Sequence, residues 1–186
     1  MKNFSKLDTC CIIGGCSSKK IVGQEEASYY ELIKPKIKNN IIDLVENSHV
    51  SHFLSGMNIG FEQCAAEAVI ELKEKYPKLT LEGILPYENH SINWTGGQRN
   101  KYYSIMNKSD REVLLQYHYT DDCMKKRNQY MINKSKYIIF FGEGTSFLDN
   151  LIEYARTKGR IVINMDYDES VFPRKKYIFN VNFNEH

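Results

Sequence analysis

The sequence predicts one Rossmann-like α/β domain: a mostly parallel sheet with helices on both faces. Two observations carry this expectation. Short apolar runs alternate with stretches of helical period from about residue 9 to residue 166, the order of an open parallel sheet covered on both sides. Three of those runs end in glycine, in the segments IIGGCSS, LSGMNIG and FFGEGTS. Glycine suits the place where a strand hands over to a helix, because it turns freely and leaves the backbone uncovered. The 186 residues suit a single domain. Residues 9–166 form its core and 167–186 a tail, with no linker, repeat or low-complexity segment between them.

TCCIIGG (9–15) is a short apolar run closed by glycines, hence a strand and a turn. Tyr29, Ile33, Ile37, Ile41 and Val45 recur every four residues and mark a helix over 29–46. Pro35 either opens that helix or kinks it. SHFLSG (51–56) is the second strand. Phe61, Ala65, Ala68, Val69, Leu72 and Tyr76 then line one helical face, and Pro77 stops it. LTLEGILP (79–86) is the third strand, residues 87–97 a loop, GQRNKYYSIMNKS a helix and REVLLQYH the fourth strand. DDCMKKRNQYMINKS opens with two aspartates, which suit a helix N-terminus. KYIIFFGEGTS (136–146) is the most apolar strand, and FLDNLIEYARTKG is a helix with Gly159 as its cap. RIVINMD (160–166) is the sixth strand, and KYIFNVNF in the tail reads as an edge strand.

The bulk composition excludes more than it assigns. With 25 basic and 23 acidic residues the net charge is +2, which argues against nucleic acid and against a charged membrane surface as partners. Five cysteines, with no CxxC pair and no histidine at zinc-finger spacing, read as reduced thiols, so no metal is expected. The N-terminus has no apolar signal core and no run reaches membrane-spanning length, so a cytoplasmic protein is expected.

In such a sheet, ligands bind beyond the carboxyl ends of the strands, where helix N-termini direct their free N–H groups. The glycines at Gly14 and Gly15, at Gly56 and Gly60, and at Gly142 and Gly144 let amides approach a ligand, and together they fit a phosphate-bearing nucleotide. GGCSSK is not a dinucleotide fingerprint, and GEGTS lacks the lysine of a P-loop. Glu62, two residues after Gly60, either complements the helix dipole or accepts from a ribose or base. Trp94 either plugs an apolar gap or stacks on a base, and the KKR run at 125–127 is either a solvated face or a phosphate clamp. No nucleophile–base pair stands out, and Ser55 before Gly56 is not a nucleophile elbow.

The segment FLSGMNIGFEQCAAEAVIELKEKYPKLTLEGILPYE resembles the signature of the YpsA-like proteins of the SLOG superfamily, named for the Smf/DprA and Lonely-guy proteins. That signature runs SGxxxGxDxxAAE, a helix ending in KYP, then LPxE. YTDDCMKKRNQYMINKSKYIIFF and EYARTKGRIVINMD resemble its later segments, so the likeness covers about residues 9–166. It implies a bacterial Rossmann-like protein that binds a nucleotide-derived ligand along the glycine-bearing strand ends. Carried onto this sequence, the ligand edge includes Gly56, Met57, Gly60, Glu62, Pro86, Glu88, Arg127 and Asn128, with Gly14, Gly15, Gly142, Gly144 and Thr145 beside them. Two segments depart from the pattern. IGGCSSK replaces the usual TGHRP, and GEGTSFLDN stands where relatives carry a GGT-like segment; Lonely-guy phosphoribohydrolases carry a glutamate soon after that motif, and none follows Thr145 at the matching place here.

The resulting expectation is a non-catalytic ligand sensor that signals through a protein partner or its own oligomeric state. The expected roles are glycine amides on phosphate, Glu62 on sugar or base, Thr145 on phosphate and Arg127 on ligand charge. Gly56→Val is expected to abolish binding and leave the fold intact. The rivals are a nucleoside-phosphate N-glycosidase, which needs a placed acid or base, and a single-stranded DNA binder of the Smf/DprA type, which needs clustered cations.

Overall fold

The computed structural model describes residues 4–14, 26–142 and 146–165. A 3-10 turn, Lys6–Asp8, precedes β1 (Thr9–Gly14). There follow α1 (Glu26–Ser48), β2 (His52–Ser55), α2 (Phe61–Leu72), β3 (Thr80–Leu85), α3 (Gly96–Met106) and β4 (Arg111–Leu114). The chain continues through α4 (Cys123–Lys134), β5 (Tyr137–Phe141), α5 (Ser146–Thr157) and β6 (Ile161–Asn164). The expected tail strand, KYIFNVNF, lies outside the described residues.

The strands form one sheet of order β4-β3-β2-β1-β5-β6, and every pairing is parallel. From β1 the chain steps outward to β4, crosses back to β5 beside β1, and steps out again to β6. Parallel crossovers are right-handed, so the two directions of travel put their helices on opposite faces. The core divides accordingly. Cys10, Ile12, Phe53 and Leu81 pack with Ile37, Ile41 and Leu44 of α1, with α2, and with Tyr102 and Ile105 of α3. Cys11, Ile13, Leu54 and Ile84 turn the other way, against Met131 and Ile132 of α4 and Leu148, Leu151 and Ala155 of α5. Alternate residues of one strand thus feed two cores, which is why β1 and β5 read as near-continuous apolar runs.

Pro35 neither opens nor ends a helix: α1 runs through it. The apolar stripe beyond it, Ile37, Ile41 and Leu44, is buried, and that packing outweighs the missing N–H donor. Gly159 takes a φ of 64° after α5, and the Arg160 N–H then reaches back to the Ala155 carbonyl at 3.0 Å, the glycine stop expected there. Between β3 and α3, Trp94 packs half-buried on the core and meets the rings of His90 and Tyr102 edge-on, so it fills the apolar gap. Among the described residues no helix is long and apolar enough to cross a membrane.

Candidate functional site

Beyond the carboxyl ends of β1 and β2, the chain builds a polar cluster around one guanidinium. Arg127 sits in the first turns of α4 and Glu62 in the first turn of α2; each is 1% exposed. Arg127 Nη2 donates to Glu62 Oε1 at 3.3 Å. Nη1 donates to the Gly56 carbonyl at 3.0 Å and to Asn58 Oδ1 at 3.1 Å. Asn128 Oδ1 accepts from Nε at 3.0 Å and from Nη2 at 2.7 Å. A guanidinium has five N–H groups, and these five bonds use them all.

Glu62 is bonded through both of its oxygens. Its Oε1 also accepts from the Gly14 N–H at 3.2 Å, and Oε2 accepts from the Asn58 N–H at 3.0 Å. A helix N-terminus attracts an anion, and here the anion is the protein's own carboxylate. Burying both charges costs several kcal/mol each, and the complete set of hydrogen bonds is what makes it tolerable.

The turn that presents these groups is also tied down. Ser55 Oγ donates to the Glu62 carbonyl and accepts from the Met57 N–H, both at 3.2 Å. Gln63 Nε2 donates to the Met57 carbonyl at 3.2 Å. Met57 is held at a φ of 58° and fully buried, a left-handed conformation that a non-glycine residue keeps only when its surroundings impose it. Gly60 follows at a φ of 95° and opens α2, where glycine is needed for the backbone alone.

The expected site residues therefore fall into four groups. Gly14, Gly56, Met57, Gly60, Glu62, Arg127 and Asn128 come together. Gly142, at a φ of 129°, adjoins them, because its neighbour Phe141 pairs with Gly14. Pro86 is buried and Glu88 exposed at the end of β3, and neither bonds to the cluster. Gly15, Gly144 and Thr145 lie outside the described residues.

Four roles are corrected. The Gly14 N–H is spent on Glu62, and a Cβ there would lie 2.5 Å from the Phe61 ring. A Cβ on Gly56 would overlap the Arg127 guanidinium, so a bulky residue at that position attacks the fold and not ligand binding alone. The charge that Arg127 neutralises is that of Glu62. The hydrogen bonds that Glu62 accepts come from the protein's own backbone and Arg127. In the KKR run, Lys125 and Lys126 are solvated and only Arg127 turns inward.

Three participants are absent from the sequence reading of the site: Ser55, Asn58 and Gln63. Their signal is the polar pattern around SGMNIGFEQ, where a serine two residues before a backbone N–H forms a local turn. His90 is a fourth. Its ring meets Tyr87, Trp94 and Tyr102 edge-on. Burial first, and then the Arg127 charge, push its ring down to about 4.

The sequence matches the YpsA family, described as the YspA SLOG family, over residues 11–159. The chain belongs to this SLOG family. The UPF0398 protein YpsA of Bacillus subtilis (strain 168) is 32% identical over 113 residues, covering 60% of this chain and 61% of that protein. A UPF0398 protein of Bacillus cereus is 28% identical over 135 residues, covering 70% of this chain and 73% of the relative. The chain thus spans about three-fifths of the Bacillus subtilis SLOG protein. Among solved structures, the DNA processing protein A of Helicobacter pylori, described by its single-stranded DNA binding mode, aligns with a TM-score of 0.54 at 15% identity. That alignment covers 86% of this chain and 65% of the other, and the likeness is one of fold. The SLOG motif SGxxxGx(D/E) corresponds here to the turn that carries Gly56, Gly60 and Glu62.

Proposed function

We propose that this SLOG protein binds a nucleotide-derived small molecule at the carboxyl edge of the sheet, beside the ends of β1 and β5. It acts by binding, and passes the event to a protein partner or to its own assembly. The strand order supports this reading. Neighbouring strands β1 and β5 send their chains to helices on opposite faces, and in open α/β sheets that divergence opens the ligand crevice. Gly14 and Gly142 stand at the two strand ends.

The internal pairing refines the expectation. Arg127 has no free N–H for a phosphate, and Glu62 repels one, so phosphate is left to the backbone of the connecting segments after β1 and β5. The sequence puts Gly15 in one and Gly144 with Thr145 in the other. Glu62 is equally unfit as a glycosidic acid or base, since both its oxygens are committed; this favours binding over cleavage.

A thermal-shift panel of nucleoside mono-, di- and triphosphates and dinucleotides tests the reading. A ligand at about one hundred times its Kd adds about 2.7 kcal/mol, a rise of roughly 5–10 °C for a chain of this size. Glycine-selective nitrogen-15 labelling then locates it: Gly14, Gly15, Gly142 and Gly144 should shift and Gly159 should not. A panel with no shift at millimolar concentration, or shifts confined to other glycines, overturns the proposal.

A further inference from the structure

The opposite end of the sheet carries a feature that the carboxyl-edge site does not use. β1, β5 and β6 are neighbours in register, with Cys10 beside Tyr137 and Tyr137 beside Ile161. Lys136 and Arg160 stand directly before β5 and β6, and Lys6 in the turn just before β1. Lys134 ends α4 and Lys158 follows α5. Backbone and side-chain bonds fix the group: Lys136 N–H to the Thr9 carbonyl, Arg160 Nε to the Ile132 carbonyl, and Tyr154 Oη to Asn133 Oδ1, each at 3.0 Å.

None of these five cations makes an ion pair with a carboxylate among the described residues, whereas Lys34, Lys38, Lys73, Lys75 and Lys101 on the other face all do. Slight desolvation, and then repulsion from Arg160 and Lys158, hold the exposed Lys6 ammonium below its ordinary value. Cations at helix C-termini offset exposed carbonyls, which accounts for Lys134 and Lys158. Arg160 does the same for α4 through the Ile132 carbonyl; Lys6 and Lys136 have no such account.

The total charge of +2 hides this distribution, because the five cations come from separate segments of the sequence and meet only at this end of the sheet. Aromatic rings are interleaved with the cations. Lys134 lies 5.8 Å over the Tyr130 ring, Lys136 5.3 Å over Tyr137 and Lys158 5.4 Å over Tyr154. Leu7 and Ile161 add exposed apolar surface, at 61% and 37%.

We propose that this amino-edge patch, formed by Lys6, Lys134, Lys136, Lys158 and Arg160, binds single-stranded nucleic acid. Neighbouring strand starts are about 4.8 Å apart, so the cations form a row that follows a phosphate backbone. The half-buried rings of Tyr130 and Tyr154 and the exposed Leu7 and Ile161 beside that row suit unstacked bases, the pairing by which sequence-tolerant single-strand binders work; the Tyr137 ring is buried in the core and only backs Lys136. An acidic peptide would use the cations but not the rings.

The test uses the full chain and a fluorescein-labelled 20-nucleotide single strand, read by anisotropy over a salt series. The triple variant K6E/K134E/K158E changes three exposed side chains of the patch; K78E/K108E/K125E makes the same charge change at exposed lysines elsewhere. The patch variant should lose tenfold or more in affinity and the control less than threefold. The log–log salt slope should flatten by about 2, at roughly 0.7 per lost single-strand phosphate contact. Absence of binding at low salt, or equal losses in both triples, overturns the proposal. So does tighter patch-dependent binding of poly-glutamate or of phosphatidylserine vesicles, which would make the partner a protein or a membrane.

Discussion

At the scale of single residues, Arg127 decides the chemistry of the carboxyl edge. Removing one member of a buried pair leaves its partner's charge uncompensated, which costs about 3–5 kcal/mol. Arg127→Met should therefore lose that much in urea denaturation. The double variant Arg127→Met with Glu62→Gln should lose less than the sum of the two singles, because neither charge is then stranded. Gly56→Ala gives a sharper reading of the contact. Its new Cβ meets the guanidinium, so it should destabilise the native protein clearly and the Arg127→Met protein little. Equal losses in both backgrounds would show that the guanidinium is not what requires glycine there.

His90 carries the pH dependence. Its ring sits at about 4 in the fold against 6.5 when unperturbed. Between those values the unfolded chain binds the extra proton, so stability is whole above about pH 6.5 and falls as the pH drops toward 4. A tenfold change in proton affinity is worth about 1.4 kcal/mol, and with partial solvent access the loss should come to about 2–3 kcal/mol. His90→Phe should flatten that acid limb in stability curves taken from pH 7 to pH 4. The resemblance to a known family singles out Glu62, Arg127 and Asn128, but not what they touch. Arg127 meets Gly56, Asn58 and Glu62 across 65 to 71 residues of sequence, and no local spacing records such a meeting.

At the scale of elements, the alternation of periods carries most of what the sequence reveals. The four-residue rhythm of α1, the apolar face of α2 and the glycine after α5 each correspond to an observed helix or its end. Pro35 is ambiguous in the sequence because proline chemistry is local while the forces that keep α1 continuous are tertiary. Its lost bond remains a defect, so Pro35→Ala should stabilise the protein by about 1–3 kcal/mol, visible as a higher denaturant midpoint with an unchanged slope. A destabilised variant would mean that the proline ring itself is needed at that place in α1. REVLLQYH reads as a longer strand than β4, whose four residues are half or fully exposed; an edge strand carries a weaker apolar pattern to read.

At the scale of the whole molecule, fold class is legible in the sequence and strand order is not. Alternating strands and helices fix a parallel sheet, but the neighbour of β1 on one side comes from residues 137–141, and nothing local announces that. The order places β1, β2, β3 and β5 inside and β4 and β6 at the edges. Native-state hydrogen exchange should follow it: amides of Cys11–Ile13 and Ile138–Phe140 should exchange only through global unfolding, those of β4 and β6 through smaller openings. Equal protection in all six strands would contradict that ranking. Net charge misleads for the same reason as strand order: a total says nothing about which residues the chain gathers.

The position of β1 also bears on how the chain is made. Its second flank has no partner until β5 has been synthesised, more than 120 residues later. A nascent chain leaving the ribosome can assemble β1 to β4 with α1 to α3, yet it carries an apolar strand with one open flank throughout that interval. Such flanks recruit other chains. The need for a chaperone should peak while α4 is being translated and end when β5 closes the gap.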